Sequence, residues 1–111
     1  MPMVNVTSAE FEKKVLNNEL PVLLDFGAVW CGPCKTLEPM VSQLADEYSG
    51  RLFVGHVDVG MQPDIAAKYG ILGVPSLLFL NKGAVVKQLA GVPSKGKLMT
   101  TIEDVLAEVG I

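Results

Sequence analysis

The segment Trp30-Cys31-Gly32-Pro33-Cys34 constrains this chain more than any other stretch of it. It holds both cysteines of a 111-residue sequence. It lies between an apolar run, Val22-Leu23-Leu24-Asp25-Phe26, and a segment with helical periodicity. The run is too apolar for a strand with one wet face, so it predicts a central strand covered on both sides. Pro33 suits the first turn of the following helix, where its missing N–H has no partner to lose. A strand thus delivers the cysteine pair to a helix N-terminus, where unpaired N–H groups and partial positive charge favour S⁻ over SH.

The rest of the chain reads as alternating strands and helices. Val4-Asn5-Val6-Thr7 is a short first strand, and Thr7-Ser8-Ala9-Glu10 fits a capping box for a helix that shows Phe11 and Val15 on one face and stops at Pro21. The long helix runs from Gly32 to Tyr48, with a buried stripe of Leu37, Met40, Val41, Leu44 and Tyr48, a kink expected at Pro39, and Gly50 as its stop. Arg51 to Val59 is a third strand, and Asp64 to Tyr69 a short helix ended by Gly70. Ser76–Leu80 and Ala84–Leu89 form a hairpin around Asn81-Lys82-Gly83. Ser94 caps a last helix with the stripe Leu98, Ile102, Val105, Leu106 and Val109. This order predicts an α/β fold, a central sheet with helices on both faces, as a single domain over residues 1–111.

Composition narrows the function. Half the residues are apolar and the net charge is −3, which is globular and lacks the basic footprint of a nucleic-acid binder. No apolar run approaches membrane-spanning length. The N-terminus shows no basic segment followed by an apolar core, so the expected location is cytoplasmic. There a close cysteine pair is redox-active or metal-binding more often than structural.

Three chemistries compete for the pair. As a structural staple it would close a loop of about four residues, contributing roughly 2 kcal/mol where a hundred-residue loop would contribute about 4.7. A structural zinc site takes four Cys or His ligands, and this chain has two cysteines and one histidine, His56. Dithiol–disulfide exchange needs only what is present: residues three apart on one helix face, able to meet the separation a disulfide requires. The two thiols are not equivalent in that arrangement. Cys31, at the helix mouth and open to solvent, is the expected attacking thiolate. Cys34, a turn deeper and with a higher pKa, acts second.

The chain resembles the thioredoxin family. The resemblance rests on the whole WCGPC motif with Asp25 upstream, Lys68-Tyr69-Gly70-Ile71, Gly73-Val74-Pro75-Ser76, and Gly91 near Ser94-Lys95-Gly96, in the family's order and close to its spacing. It implies the thioredoxin fold, a five-stranded mixed sheet in the order β1-β3-β2-β4-β5 flanked by four α-helices. It implies reduction of protein disulfides through Cys31 and Cys34, with no cofactor or metal bound, by a monomer recharged by a thioredoxin reductase that draws on NADPH or ferredoxin. Asp25, otherwise readable as a buried acid with structural partners, becomes the proton acceptor for Cys34. Val74-Pro75, trans by the usual preference of X–Pro bonds, becomes a cis bond facing the cysteines. Gly32, Pro33 and Pro75 shape the site, and Trp30, Val74, Gly91 and Val92 contact the substrate. Two positions depart from the family pattern. Gly27 stands where many relatives have an aromatic residue, which predicts a more open wall. His56 stands where many have lysine, beside the buried acid. Ser76 for threonine is a smaller change. Other activities on the same fold, an oxidant or isomerase, or a binding subunit that uses only its surface, share much of this pattern.

Overall fold

A computed structural model describes residues 3–110. Five strands, β1 (Val4–Asn5), β2 (Val22–Gly27), β3 (Phe53–Asp58), β4 (Ser76–Asn81) and β5 (Ala84–Ala90), form one sheet in the order β1-β3-β2-β4-β5. The order is the one the family resemblance implies. β3 runs parallel to both β1 and β2, whereas β4 is antiparallel to its neighbours β2 and β5. The long helix is α1 (Gly32–Glu47), followed by α2 (Pro63–Lys68) and α3 (Lys95–Glu108). The fourth helical segment precedes β2 and is not wound as α. Ser8–Glu10 is a 3₁₀ turn and Glu12–Leu16 a π-helix, in which Asn17 N–H reaches Glu12 O at 2.9 Å.

Side-chain alternation along β2 divides the interior into two layers. Leu23 points to one face and packs with Leu77 and Phe79 against α1 and α3 through Leu37, Val41, Leu44, Leu98 and Ile102. Val22, Leu24 and Phe26 point to the other and pack with Leu78 and Leu80 against Phe11, Val15 and Ile65. Burial on both faces is the reason that the run is apolar at every position but Asp25. Leu23, Leu37, Leu44 and Leu98 are fully enclosed, where truncation to alanine typically costs about 2–5 kcal/mol. The layers press close: a methyl group at Gly55 would stand 2.7 Å from Val6 Cγ2. At the far end of α1, Tyr48 Oη donates to Glu103 Oε2 on α3 at 2.7 Å. Burial first, and then this acceptor, push the Tyr48 pKa up to about 12.

Turn chemistry places the ends. Gly50 and Gly70, which follow α1 and α2, have φ of +87° and +64°, a conformation that glycine adopts without steric cost. Lys82 and Gly83 both have positive φ and link β4 to β5 as a two-residue hairpin loop. α1 continues through Pro39 as a single helix. No helix among the described residues is long and apolar enough to cross a membrane.

Candidate active site

β2 ends at Gly27, and after four intervening residues α1 begins at Gly32. Cys31 is the N-cap of α1, with extended backbone angles, and Gly32 and Pro33 form the exposed first turn. Cys31 and Cys34 are joined in a disulfide with a Cα–Cα separation of 5.3 Å. The Cys34 N–H donates to Cys31 Sγ at 3.2 Å, so a free N–H of the helix end serves the sulfur that a cap oxygen would otherwise serve. The same donor would stabilise a Cys31 thiolate once the disulfide opens. Cys34 is 2% exposed, as expected of the deeper sulfur, but Cys31 is only 5% exposed, not open to water. Ala28, Val59 and Val74 pack around the pair and close it in.

Asp25 lies on the same face of β2 as Leu23 and Gly27, the face covered by α1. It is 1% exposed, and neither carboxylate oxygen has a hydrogen-bond partner. Its neighbour in register on β3 is His56, whose Nδ1 stands 3.5 Å from Asp25 Oδ2, an ion-pair separation too long and poorly aligned for a hydrogen bond. The other ring nitrogen, Nε2, stands 3.5 Å from Glu38 Oε1 on α1. The imidazole pKa is raised, chiefly by the polar contact with Asp25. Burial opposes the shift, and the charges of Asp25, Glu38 and Asp58 reinforce it. Glu38 carries no signal in the sequence. It sits four residues after Cys34 on α1, and only the rotation of that helix over β3 brings it to His56.

Gly27 does not open the wall as its lack of a side chain predicts. It is buried, and a methyl group there would stand 3.2 Å from His56 Cε1 and 3.5 Å from Cys34 Sγ. The imidazole and the sulfur occupy the ground that a side chain at position 27 would need.

Around the disulfide runs an apolar rim. Trp30 is 73% exposed, Val29 75% and Leu72 100%. A pocket of about 160 Å³ is lined by Trp30, Val59, Ile71, Leu72, Gly73 and Val74. Val74-Pro75 is a cis bond, and Pro75 is buried at the start of β4. Gly91 N–H donates to Pro75 O at 3.1 Å, and a shallow groove passes Leu72, Val74, Pro75 and Gly91. Val92 follows, 41% exposed. Trp30, Val74, Pro75 and Gly91 therefore share one surface. Sequence reading missed Leu72, although an isolated Ile-Leu pair between Gly70 and Gly73 has no periodic reason to be apolar.

The thioredoxin family model matches residues 2–104. The chain belongs to the thioredoxin family. A thioredoxin of Pyropia yezoensis is 40% identical over 102 residues, covering 92% of this chain and 95% of its own. Thioredoxin C-2 of Corynebacterium nephridii is 42% identical over 101 residues, 91% of this chain and 94% of its own. A thioredoxin of Pseudomonas aeruginosa is 39% identical over 101 residues, 91% of this chain and 94% of its own. Family membership and the paired cysteines together make this chain a thiol–disulfide oxidoreductase of the thioredoxin type.

Proposed function

We propose that this protein reduces disulfides in other proteins, with Cys31 as nucleophile, Cys34 as resolving thiol and Asp25 as proton acceptor for Cys34. The Cys31 thiolate attacks one sulfur of the target disulfide. A mixed disulfide forms, and the other target sulfur leaves as a thiolate and takes a proton from water. Cys34 then gives its proton to Asp25 and attacks Cys31 Sγ. The mixed disulfide breaks, the second target thiolate leaves, and the Cys31–Cys34 bond retains the two electrons' worth of oxidation. The observation that carries the assignment is the Cys34 N–H directed at Cys31 Sγ, which favours charge on the outer sulfur and not the inner one. Trp30, Val74, Gly91 and Val92 hold an extended target segment against the rim, with Gly32, Pro33 and Pro75 shaping the approach.

A thioredoxin reductase, supplied by NADPH or ferredoxin, returns the electrons. The chain works as a cytoplasmic monomer, one domain over residues 1–111. These points rest on membership of the thioredoxin family.

Trapping tests the roles. Cys34→Ser accumulates a stable mixed disulfide with a disulfide-bearing protein, visible by mass spectrometry, whereas Cys31→Ser neither reduces the target nor forms an adduct. The reverse pattern would exchange the two assignments.

A further inference from the structure

Neither Asp25 oxygen meets water or, among the described residues, a hydrogen-bond donor, so each proton that Asp25 takes or returns changes the charge of a buried place that water cannot screen. Among the described residues the only ionisable group in ion-pair contact with it is His56, and that ring spans two environments. Nδ1 faces the buried carboxylate. Nε2 faces Glu38, whose side chain is 40% exposed. On the outer side lies a cleft of about 370 Å³ lined by Thr7, Glu38, His56, Asp58 and Gln62 among others. Neither Asp25 nor any residue that lines the rim pocket and groove beside the disulfide lines this cleft. The groups facing His56 are thus Asp25 on β2, Glu38 on α1 and Asp58 on its own strand; Asn5, Val6, Thr7, Met61 and Gln62 contribute no charge.

We infer that His56 is the positioning residue that balances the charge of Asp25 against solvent, releasing a proton at Nε2 beside Glu38 each time Asp25 takes one from Cys34. The inference rests on the proposed role of Asp25. In the resting reduced site, ionised Asp25 faces a protonated imidazole and the pair is neutral. When Cys34 transfers its proton, Asp25 becomes neutral and the imidazolium loses its counter-charge in a buried place, a costly arrangement. The ring then gives up the Nε2 proton to Glu38 or to cleft water, and the pair is neutral again. When the disulfide is later reduced, Cys34 recovers the proton from Asp25 and Nε2 takes one from the cleft. Nδ1–H faces Asp25 throughout, so the ring never has to change tautomer. One proton leaves per resolving step and one returns per reduction. The neighbouring Asp25, Glu38 and Asp58 raise the imidazole pKa, which favours the charged ring while Asp25 is ionised.

His56 is the only histidine, so its ring carbons give a single NMR titration curve. The experiment measures that curve and the single-turnover rates of mixed-disulfide formation and resolution against pH, in wild type, Asp25→Asn, His56→Gln and Glu38→Gln. In wild type the resolution rate inflects at the NMR midpoint of His56. His56→Gln slows resolution by about tenfold near neutral pH, removes the inflection, and leaves the first attack by Cys31 unchanged. Glu38→Gln, a partly exposed change that leaves the core intact, moves both the NMR midpoint and the inflection to lower pH together. If His56→Gln resolves like wild type while Asp25→Asn is slow, Asp25 takes its proton without compensation at His56 and the inference fails alone. If Asp25→Asn resolves at the wild-type rate, the role of Asp25 fails and this inference with it. Equal slowing of attack and resolution in His56→Gln, or a Glu38→Gln midpoint that moves without the inflection, reduces His56 to a structural residue.

Discussion

Residue 56 also ties the stability of the fold to pH. Because contact with Asp25 raises its pKa, the folded protein holds the imidazole proton more tightly than the unfolded chain does. That contribution is fully present below the unfolded value of about 6.5. It is lost as pH rises through the higher folded value. Denaturant unfolding between mildly acidic and alkaline pH is therefore expected to show wild type losing more stability with rising pH than His56→Gln does; parallel curves would mean that folding does not bind the proton. At this scale the sequence is most legible where a residue type contradicts its surroundings. Two cysteines at a helix entry and an acid inside an apolar strand announce chemistry by their misfit. Glu38 contradicts nothing on an exposed helix face, and Gly27 announces an absence whose meaning depends on which atoms fill it.

Elements were legible as far as local chemistry alone determined them. Ser94 and Thr7 make the contrast. Ser94 accepts from Lys97 N–H at 3.1 Å, as a cap should. Thr7 makes no side-chain cap; its hydroxyl donates to Glu10 Oε1 at 3.2 Å, because the segment it opens is a 3₁₀ turn and not an α-helix. Ser94→Ala should therefore cost about 1 kcal/mol, and Thr7→Ala markedly less, as read from denaturant midpoints at unchanged m. Equal losses would show that Thr7 does cap in solution. The third strand reads two residues too long at its start for a related reason. Arg51 and Leu52 N–H both go to Tyr48 O, closing the end of α1 instead of joining the sheet. Competition between a helix end and a sheet edge for the same donors is invisible to periodicity. Strand order came from the family resemblance, since alternation identifies faces but not neighbours.

At the scale of the whole molecule, the apolar rim and the disulfide form one feature. Leu72 exposes its entire side chain and Trp30 nearly three quarters of its surface, beside a thiol pair that is itself almost closed to water. A small disulfide needs only the sulfur; a protein target also covers the rim. Leu72→Ser and Trp30→Ala are expected to lower kcat/KM for a protein disulfide by about tenfold, the scale of one anchoring side chain at an interface. Reduction of a small aromatic disulfide should change little. An equal loss for both substrates would locate the effect in the thiols and not in recognition.

The sheet has a further consequence at its margins. β1 is two residues long, too short to template another chain. β5 is longer, but its pairing with β4 slips in register between Phe79 and Leu80, and Lys87 lies beside the slip. Short, irregular and charged borders are how sheet proteins discourage edge-to-edge stacking. With both borders so poorly suited to templating, concentrated solutions of the chain are expected not to grow ribbons from one copy to the next, even though half its residues are apolar.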